Sequence, residues 1–416
     1  MRIDILHYSV APVVGGVEAV IQAHAQLLRQ AGYPVTVIAG IGEQGNLPPG
    51  TEFTRIPEMD SRHPGVVEAS RQLEAGVIPA DFERITAGLH TSLNHALEDE
   101  AVLIIHNVFT KHFNLPLTAA LVRLLEQGKI KRCIAWCHDF TWTSSHSRSK
   151  VHPGFPWDLL RTMREDVTYI TVSRQRQAEL AGLYQCPLDR IQVVYNGVDP
   201  VEVYGLTEEG LQLVDRLGFD SSDLILLMPV RITQAKNIEF ALQVVSILKS
   251  SGIRPKLVVT GPPDPHDPAD MHYYQSLLDL RRQLQVEEEA RFVYESGPSL
   301  SEGYMIDTQV VMQLYRACDV LFMPSHREGF GMPIMEAGII GKPIFTTPIP
   351  AAEEIGAAQV TQFSLDEVPE KVAGRILAWS NSNSTYMLMN RIRQNYTWKA
   401  IFQNNILPLL QSKEAA

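Results

Sequence analysis

The chain alternates two kinds of apolar pattern. Short apolar runs bounded by polar or glycine-rich loops recur at residues 3–8, 35–39, 101–105, 133–137 and 166–173, and again at 224–231, 256–261, 291–294, 320–323 and 342–348. Such runs are too short for helices and too apolar for strands with one wet face, so they read as strands of covered parallel sheets. Between them, apolar residues fall at helical spacing. Val17, Val20, Ile21 and Leu28 share one helix face before Gly32 ends the pattern, and residues 238–250, 271–286, 307–317 and 332–340 read as further helices. Residues 41–60 read as loop and 64–99 as largely helical. Strand, helix, strand is the βαβ unit, and its repetition predicts an α/β protein with parallel sheets.

The series is interrupted once. Asn196-Gly197-Val198-Asp199 is a turn signal and a new strand-like run opens at Leu224, so two domains are expected, with a linker at residues 196–205. At 416 residues the chain is too long for one ordinary core, which agrees with that division. Residues 384–410 read as helical, with Trp398, Ile401, Phe402, Ile406 and Leu409 forming an apolar side that needs a surface to cover it.

Candidate chemistry lies where strands end, because open α/β sheets bind ligands beyond the carboxyl ends of their strands. The run 320–323 is followed by Pro324-Ser-His-Arg-Glu328-Gly-Phe-Gly-Met-Pro-Ile-Met-Glu336, a glycine loop that leads into a helix. Gly329 and Gly331 flank Phe330 at the helix start, where missing side chains let an anion reach backbone N–H groups and the helix's positive end. Glu328 and Glu336 frame that cradle. A carboxylate accepts two hydroxyl hydrogen bonds at once, which suits the diols of a sugar or ribose beside a phosphate.

Gly15-Gly16 opens the helix after the first strand and makes a second phosphate-friendly turn, although the dinucleotide pattern G-x-G-x-x-G is absent. Two other strands end in polar dipeptides, His106-Asn107 and His138-Asp139. The polar loop 140–156 carries Arg148 and Lys150, cations suited to a phosphorylated or carboxylated ligand, and the proline-rich loop 262–268 is expected as a lip beside the site. Arg231 and Lys236 lie in the loop before the helix 238–250. Hydrogen-bonded cations in a dry cleft stabilise a negatively charged ligand strongly. The chain has no Asp-x-Asp triplet to hold a divalent metal, so these cations are expected to come from the protein.

Those residues carry a family resemblance. The segment from Glu328 to Glu336 resembles the E-x7-E signature of the retaining glycosyltransferases of family 4. Gly15-Gly16-x-Glu18, His138, Asn196-Gly-Val-Asp199 and the pair Arg231 and Lys236 resemble further motifs of that family, in order, so the likeness spans nearly the whole chain. It implies the GT-B fold, an α/β arrangement of two Rossmann-like domains facing a cleft. Residues 1–199 are then the acceptor domain, 200–383 the nucleotide-sugar domain, and 384–416 a helical end that returns to the first domain. The resemblance also implies transfer of a hexose, glucose or mannose, from a nucleotide diphosphate sugar to an acceptor hydroxyl with retention of configuration.

By resemblance, Glu328 contacts the donor sugar, Glu336 the ribose, and Arg231 with Lys236 the diphosphate. Gly15, Gly16, Gly329, Phe330 and Gly331 line the nucleotide sugar, and His138 reaches the donor sugar and helps hold the acceptor. His106, Asn107, Arg148 and Lys150 are further candidates for the acceptor pocket. No nucleophile is assigned; the departing phosphate oxygen takes the acceptor's proton, and neither a metal nor another cofactor is expected. A lipid- or polysaccharide-directed transferase, a sugar-nucleotide epimerase and a catalytically silent sugar-nucleotide binder of the same fold are the alternatives.

Composition narrows the setting. Hydrophobic content of 45% with 20% charged residues is that of a globular chain, and no apolar run approaches the roughly 20 residues that cross a bilayer. The first residues lack the apolar core of a signal peptide, so a cytoplasmic protein is expected. A net charge of −11 argues against nucleic acid as a partner, and a small soluble acceptor is expected over a lipid. The cysteines, at 133, 137, 186 and 318, are too scattered for a disulfide framework, and Cys133 with Cys137 read as buried small hydrophobes.

Overall fold

The computed structural model describes residues 1–263, 268–299 and 303–412; residues 264–267 of the proline-rich loop lie outside the described residues. The chain forms two compact units, Met1–Gly197 with Trp398–Ala416, and Val198–Thr397. In the first, β1 (Ile3–Ser9), β2 (Val35–Ile41), β3 (Glu52–Arg55), β4 (Val102–His106), β5 (Arg132–Cys137), β6 (Val167–Thr171) and β7 (Ile191–Val193) form one parallel sheet in the order β3-β2-β1-β4-β5-β6-β7. Ile5 lies opposite Val37 on one side and Ile104 on the other. The order runs outward in both directions from β1 and β4, so the switch point, where ligands bind such sheets, lies beyond the carboxyl ends of those two strands. Both faces are covered, by a layer containing Ile5, Ile21, Leu28 and Val37 and by one containing Leu6, Leu93, Leu103 and Leu121.

The second unit repeats the plan. Strands β8 (Leu224–Met228), β9 (Pro255–Val259), β10 (Ala290–Phe292), β11 (Val320–Met323), β12 (Ile344–Thr346) and β13 (Thr361–Gln362) are parallel in the order β10-β9-β8-β11-β12-β13. Leu226 faces Leu257 and Val320, and every β8 residue is fully buried. Taking five such side chains out of water contributes roughly 10 kcal/mol before chain entropy is counted. The switch point here lies between β8 and β11.

Three local readings change. Residues 41–60, expected as loop, contain β3, an edge strand whose residues are exposed or half-buried, so no apolar run announces it. The helical reading of 64–99 resolves into Pro64–Glu74 and Phe82–Ala96, and the run 224–231 is strand only to Met228. Cys133 and Cys137 are buried in the first core, where burial pushes both thiol pKa values well up and leaves them unreactive.

The reading of 384–416 as a single returning segment is corrected. The helix Ser384–Asn395 belongs to the second unit because polar side chains fasten it there. Arg393 donates to both carboxylate oxygens of Asp319 at 2.9 Å and to Asp223 O at 2.9 Å. Tyr386 OH also donates to Asp223 O, at 2.7 Å, and Gln394 Nε2 to Ser222 O at 2.8 Å. From Trp398 the chain belongs to the first unit, where Ile401, Phe402, Ile406, Leu409 and Leu410 join the layer of Ile3 and Ile5. Arg132 closes that end by donating to Leu409 O at 2.7 Å and Leu410 O at 2.8 Å.

Candidate active site

At the switch point of the second unit two loops meet. After β8 the chain passes Arg231 and turns at Asn237, whose left-handed backbone (φ 52°) opens the helix Ile238–Ser250. After β11 it passes Ser325 and Glu328 and turns at Gly331 (φ 97°), which opens the helix Met332–Ile340. His326 N donates to Ala235 O at 2.9 Å, tying the loops through their backbones. Side chains complete the joint: Lys236 Nζ donates to Glu328 Oε2 at 2.7 Å, and Ser325 Oγ donates to Glu328 Oε1 at 2.8 Å. Lys236 is 18% and Glu328 9% exposed, so water screens this ion pair far less than it screens a surface bridge.

Gly331 is required twice over. Its φ is positive, and a Cβ there would stand 3.1 Å from Ile349 Cδ1 and 3.2 Å from Ala351 Cβ. The backbone amides of Gly329, Phe330 and Gly331 donate to no acceptor among the described residues, and they stand at the positive end of the helix. The Phe330 side chain is exposed, and open space surrounds the position a Cβ on Gly329 would take. Further along the helix, Glu336 Oε2 accepts from Tyr315 OH at 2.7 Å. Burial, with Glu336 adding to it, raises the Tyr315 pKa and keeps the phenol a donor. Arg231 is exposed and has no ion-pair partner among the described residues. An unpaired guanidinium, a shielded ammonium and a run of unpaired amides are what an oxyanion needs.

Histidines gather at the switch point of the first unit. His7 lies on β1, His106 ends β4, His138 follows β5, and His24 sits on the helix Gly16–Gln30; all four are buried. His106 Nδ1 lies 3.1 Å from His138 Nε2, and His7 Nδ1 lies 2.9 Å from His106 O. His106 Nε2 has no partner among the described residues, so a proton on Nδ1, directed at His138, avoids an orphaned buried N–H. His138 then carries its own proton on Nδ1. Burial, with His7 adding to it, pushes the His138 pKa down to about 3, so this side chain is a neutral donor at neutral pH.

The other expected acceptor residues are placed differently. Asn107, left-handed at φ 62°, accepts through Oδ1 from His138 N at 2.8 Å and Asp139 N at 3.2 Å, so it positions the His138 loop. His106 is fully buried and is hydrogen-bonded to His138. Arg148 stacks 4.4 Å from the centre of the Trp142 ring and donates to Val151 O at 3.3 Å, while Lys150 pairs with Glu74 at 3.1 Å. A Cβ on Gly15 would stand 2.1 Å from Glu18 Oε2, so the glycine lets Glu18 fold back to accept from Ser9 Oγ at 2.6 Å. Gly16, at the helix start, meets open space. Ser325 and Tyr315, which hold the two motif carboxylates, were not anticipated.

The family model described as glycosyl transferases group 1 matches residues 212–397, and that described as glycosyltransferase family 4 matches residues 14–202. The chain belongs to this glycosyltransferase family. The two matched stretches follow the two units, the first ending just past Gly197 and the second at Thr397. The glycosyltransferase is 24% identical over 365 residues to a mannosylglucosylglycerate synthase of Thermotoga maritima, a match that covers 83% of this chain and 80% of that one. It is 28% identical over 194 residues to an uncharacterized glycosyltransferase of Methanocaldococcus jannaschii, covering 46% of this chain and 45% of the relative's length. A solved glycosyltransferase from Rickettsia africae aligns over 99% of this chain and 100% of its own at 16% identity and a TM-score of 0.35. Among the described residues of this glycosyltransferase, no helix is long and apolar enough to cross a membrane.

Proposed function

We propose that this glycosyltransferase moves a hexose, glucose or mannose, from a nucleotide diphosphate sugar to a hydroxyl of a small soluble acceptor in the cytoplasm, with retention of configuration. The observation that carries this reading is the Lys236–Glu328 pair beside the unpaired amides of residues 329–331. In this reading the cation meets the diphosphate and the carboxylate meets the sugar hydroxyls, from two loops tied to each other. A relative whose name records a glycerate-based product supports a small acceptor.

In this reading Arg231, Lys236 and the amides take up the charge of the departing diphosphate, with no metal ion required. Glu336, with one oxygen on Tyr315, offers the other to the ribose. Glu328 already accepts from Ser325 and Lys236, which weakens it as a nucleophile and suits it to orienting the donor sugar. The bond from the anomeric carbon to the phosphate oxygen breaks, the acceptor oxygen bonds to that carbon from the same face, and its proton passes to the departing phosphate. His138, neutral and donating through Nδ1, serves to orient a substrate oxygen.

The test is ligand-induced thermal shift with UDP-, GDP- and ADP-hexoses, followed by nucleotide release with and without a chelator. One nucleotide class should raise the melting temperature, and Glu336→Ala should weaken that effect. Arg231→Ala with Lys236→Ala should cut turnover by about three orders of magnitude while the protein stays folded, with a lowered melting point because Glu328 loses its shielded partner. A protein that no nucleotide sugar stabilises defeats the reading. Turnover abolished by chelation and restored by a divalent ion defeats its metal-free part.

A further inference from the structure

The cations that the sequence offers for an acidic acceptor, Arg148 and Lys150, are engaged by Trp142 and Glu74. Lys111 meets an aromatic ring as Arg148 does, but among the described residues its ammonium has neither an ion pair nor a hydrogen-bond acceptor. It lies on the loop after β4, at the switch point of the first unit, where its amide donates to Asn107 O at 2.9 Å and Asn107 in turn accepts from the His138 amide. The ammonium stands 4.8 Å from the centre of the Phe113 ring, and among the described residues no carboxylate lies within ion-pair distance of it. Burial pushes the Lys111 pKa down; Asp139 opposes this, while Arg176 and Lys150 add to it. Asp139 is itself paired with Arg176 at 3.2 Å, and Arg176 also with Glu179 at 2.8 Å.

A half-buried ammonium with no carboxylate in ion-pair contact is poorly compensated, since Asp139, which attracts it from farther off, is already paired with Arg176, and an aromatic face replaces only part of the hydration it has lost. What Lys111 lacks is an anion in direct contact. We propose that Lys111 recognises an anionic group, carboxylate or phosphate, on the acceptor, an assignment that rests on the transferase reading above. Its position fits that task, because Asn107 links the Lys111 loop to the His138 loop and so ties an anion subsite to the residue expected to orient the acceptor.

The test compares matched acceptors with the donor that thermal shift identifies: glycerol, glycerate and glycerol 3-phosphate, and glucose, glucuronate and glucose 6-phosphate. A charged member of a set should show a KM at least about tenfold below its neutral partner, as a charge-assisted hydrogen bond provides. Added salt should erode that advantage. Lys111→Met should remove most of the preference, and Lys111→Arg should restore much of it, which a purely structural role would not produce. The carboxylate and phosphate arms show which anion the subsite takes. Equal use of neutral and charged acceptors, or an undiminished preference in Lys111→Met, overturns the assignment. Should Lys111→Met fail to fold, the salt dependence and the Lys111→Arg kinetics decide the question. If no nucleotide sugar binds, the transferase reading fails and takes this one with it; donor binding without charge preference removes the role of Lys111 alone.

Discussion

Lys236 Nζ lies 2.7 Å from Glu328 Oε2, so the cation proposed for the diphosphate and the carboxylate proposed for the donor sugar neutralise each other. They come from loops on either side of the switch point, after β8 and after β11. Both are largely buried, so their attraction is only weakly screened. On the proposed reading, an arriving diphosphate competes with Glu328 for the same ammonium.

That competition has an opposite sign for binding and for turnover. Glu328→Gln removes the internal rival and should tighten the binding of the nucleoside diphosphate alone by about tenfold, equivalent to about 1.4 kcal/mol. The same change removes a carboxylate from the donor sugar and should lower transfer by about a hundredfold or more. Titration calorimetry with UDP, GDP and ADP, set beside turnover, checks both halves. Weaker diphosphate binding in Glu328→Gln would show that Glu328 holds Lys236 in place for the ligand instead of competing with it.

The donor-side loops were legible because local signals and topology agree there. The helices Ile238–Ser250 and Met332–Ile340 begin and end where apolar spacing placed them, each directly after a loop that follows a central strand. What stayed hidden is pairing across distance. Tyr315 with Glu336, and Asp319 with Arg393, join residues that no local pattern links, since polar partners leave no period in a sequence. Edge strands were hidden for a related reason, β3 being half-exposed and β13 only two residues long. Nothing in the sequence marks His7 or His24 as members of a cluster. They meet His106 and His138 only because the sheet order sets β1 beside β4 and β4 beside β5.

The Arg393–Asp319 pair explains why Ser384–Asn395 stays with the second unit, and it makes a stability prediction. Both side chains are buried, at 7% and 0% exposure, and Asp319 Oδ2 also accepts from Ile225 N at 2.8 Å. Arg393→Met leaves that carboxylate buried without its cation and should destabilise the second unit by about 3–5 kcal/mol. Adding Asp319→Asn should recover much of the loss, because the amide strands no charge and its oxygen still accepts from Ile225 N. Urea unfolding of the parent and both variants measures the difference, and a loss below about 1 kcal/mol in Arg393→Met would mean that the pair is not what fastens the helix.

The histidine cluster should set the acid limit of the first unit. Burial pushes the His24 pKa down to about 3, with His138 adding to it, and pushes His138 to about 3 as well; His7 and His106 are lowered too. A histidine with a depressed folded pKa stabilises fully above its ordinary value near 6.5, and that stability drains away as pH falls toward the folded value. Each such histidine therefore removes up to about 1.4 kcal/mol per pH unit between about pH 6 and pH 4. Asp4 acts in the opposite direction: burial raises its carboxyl pKa to about 6, so its protonated form favours the fold more as pH falls. One group cannot offset four, and the net slope is a loss. Replacing His24, whose ring nitrogens have no hydrogen-bond partner among the described residues, with Leu should flatten the melting temperature against pH over that window by one histidine's share, leaving the behaviour above pH 7 little changed. An unaltered slope in His24→Leu would mean that acid sensitivity arises elsewhere in the chain.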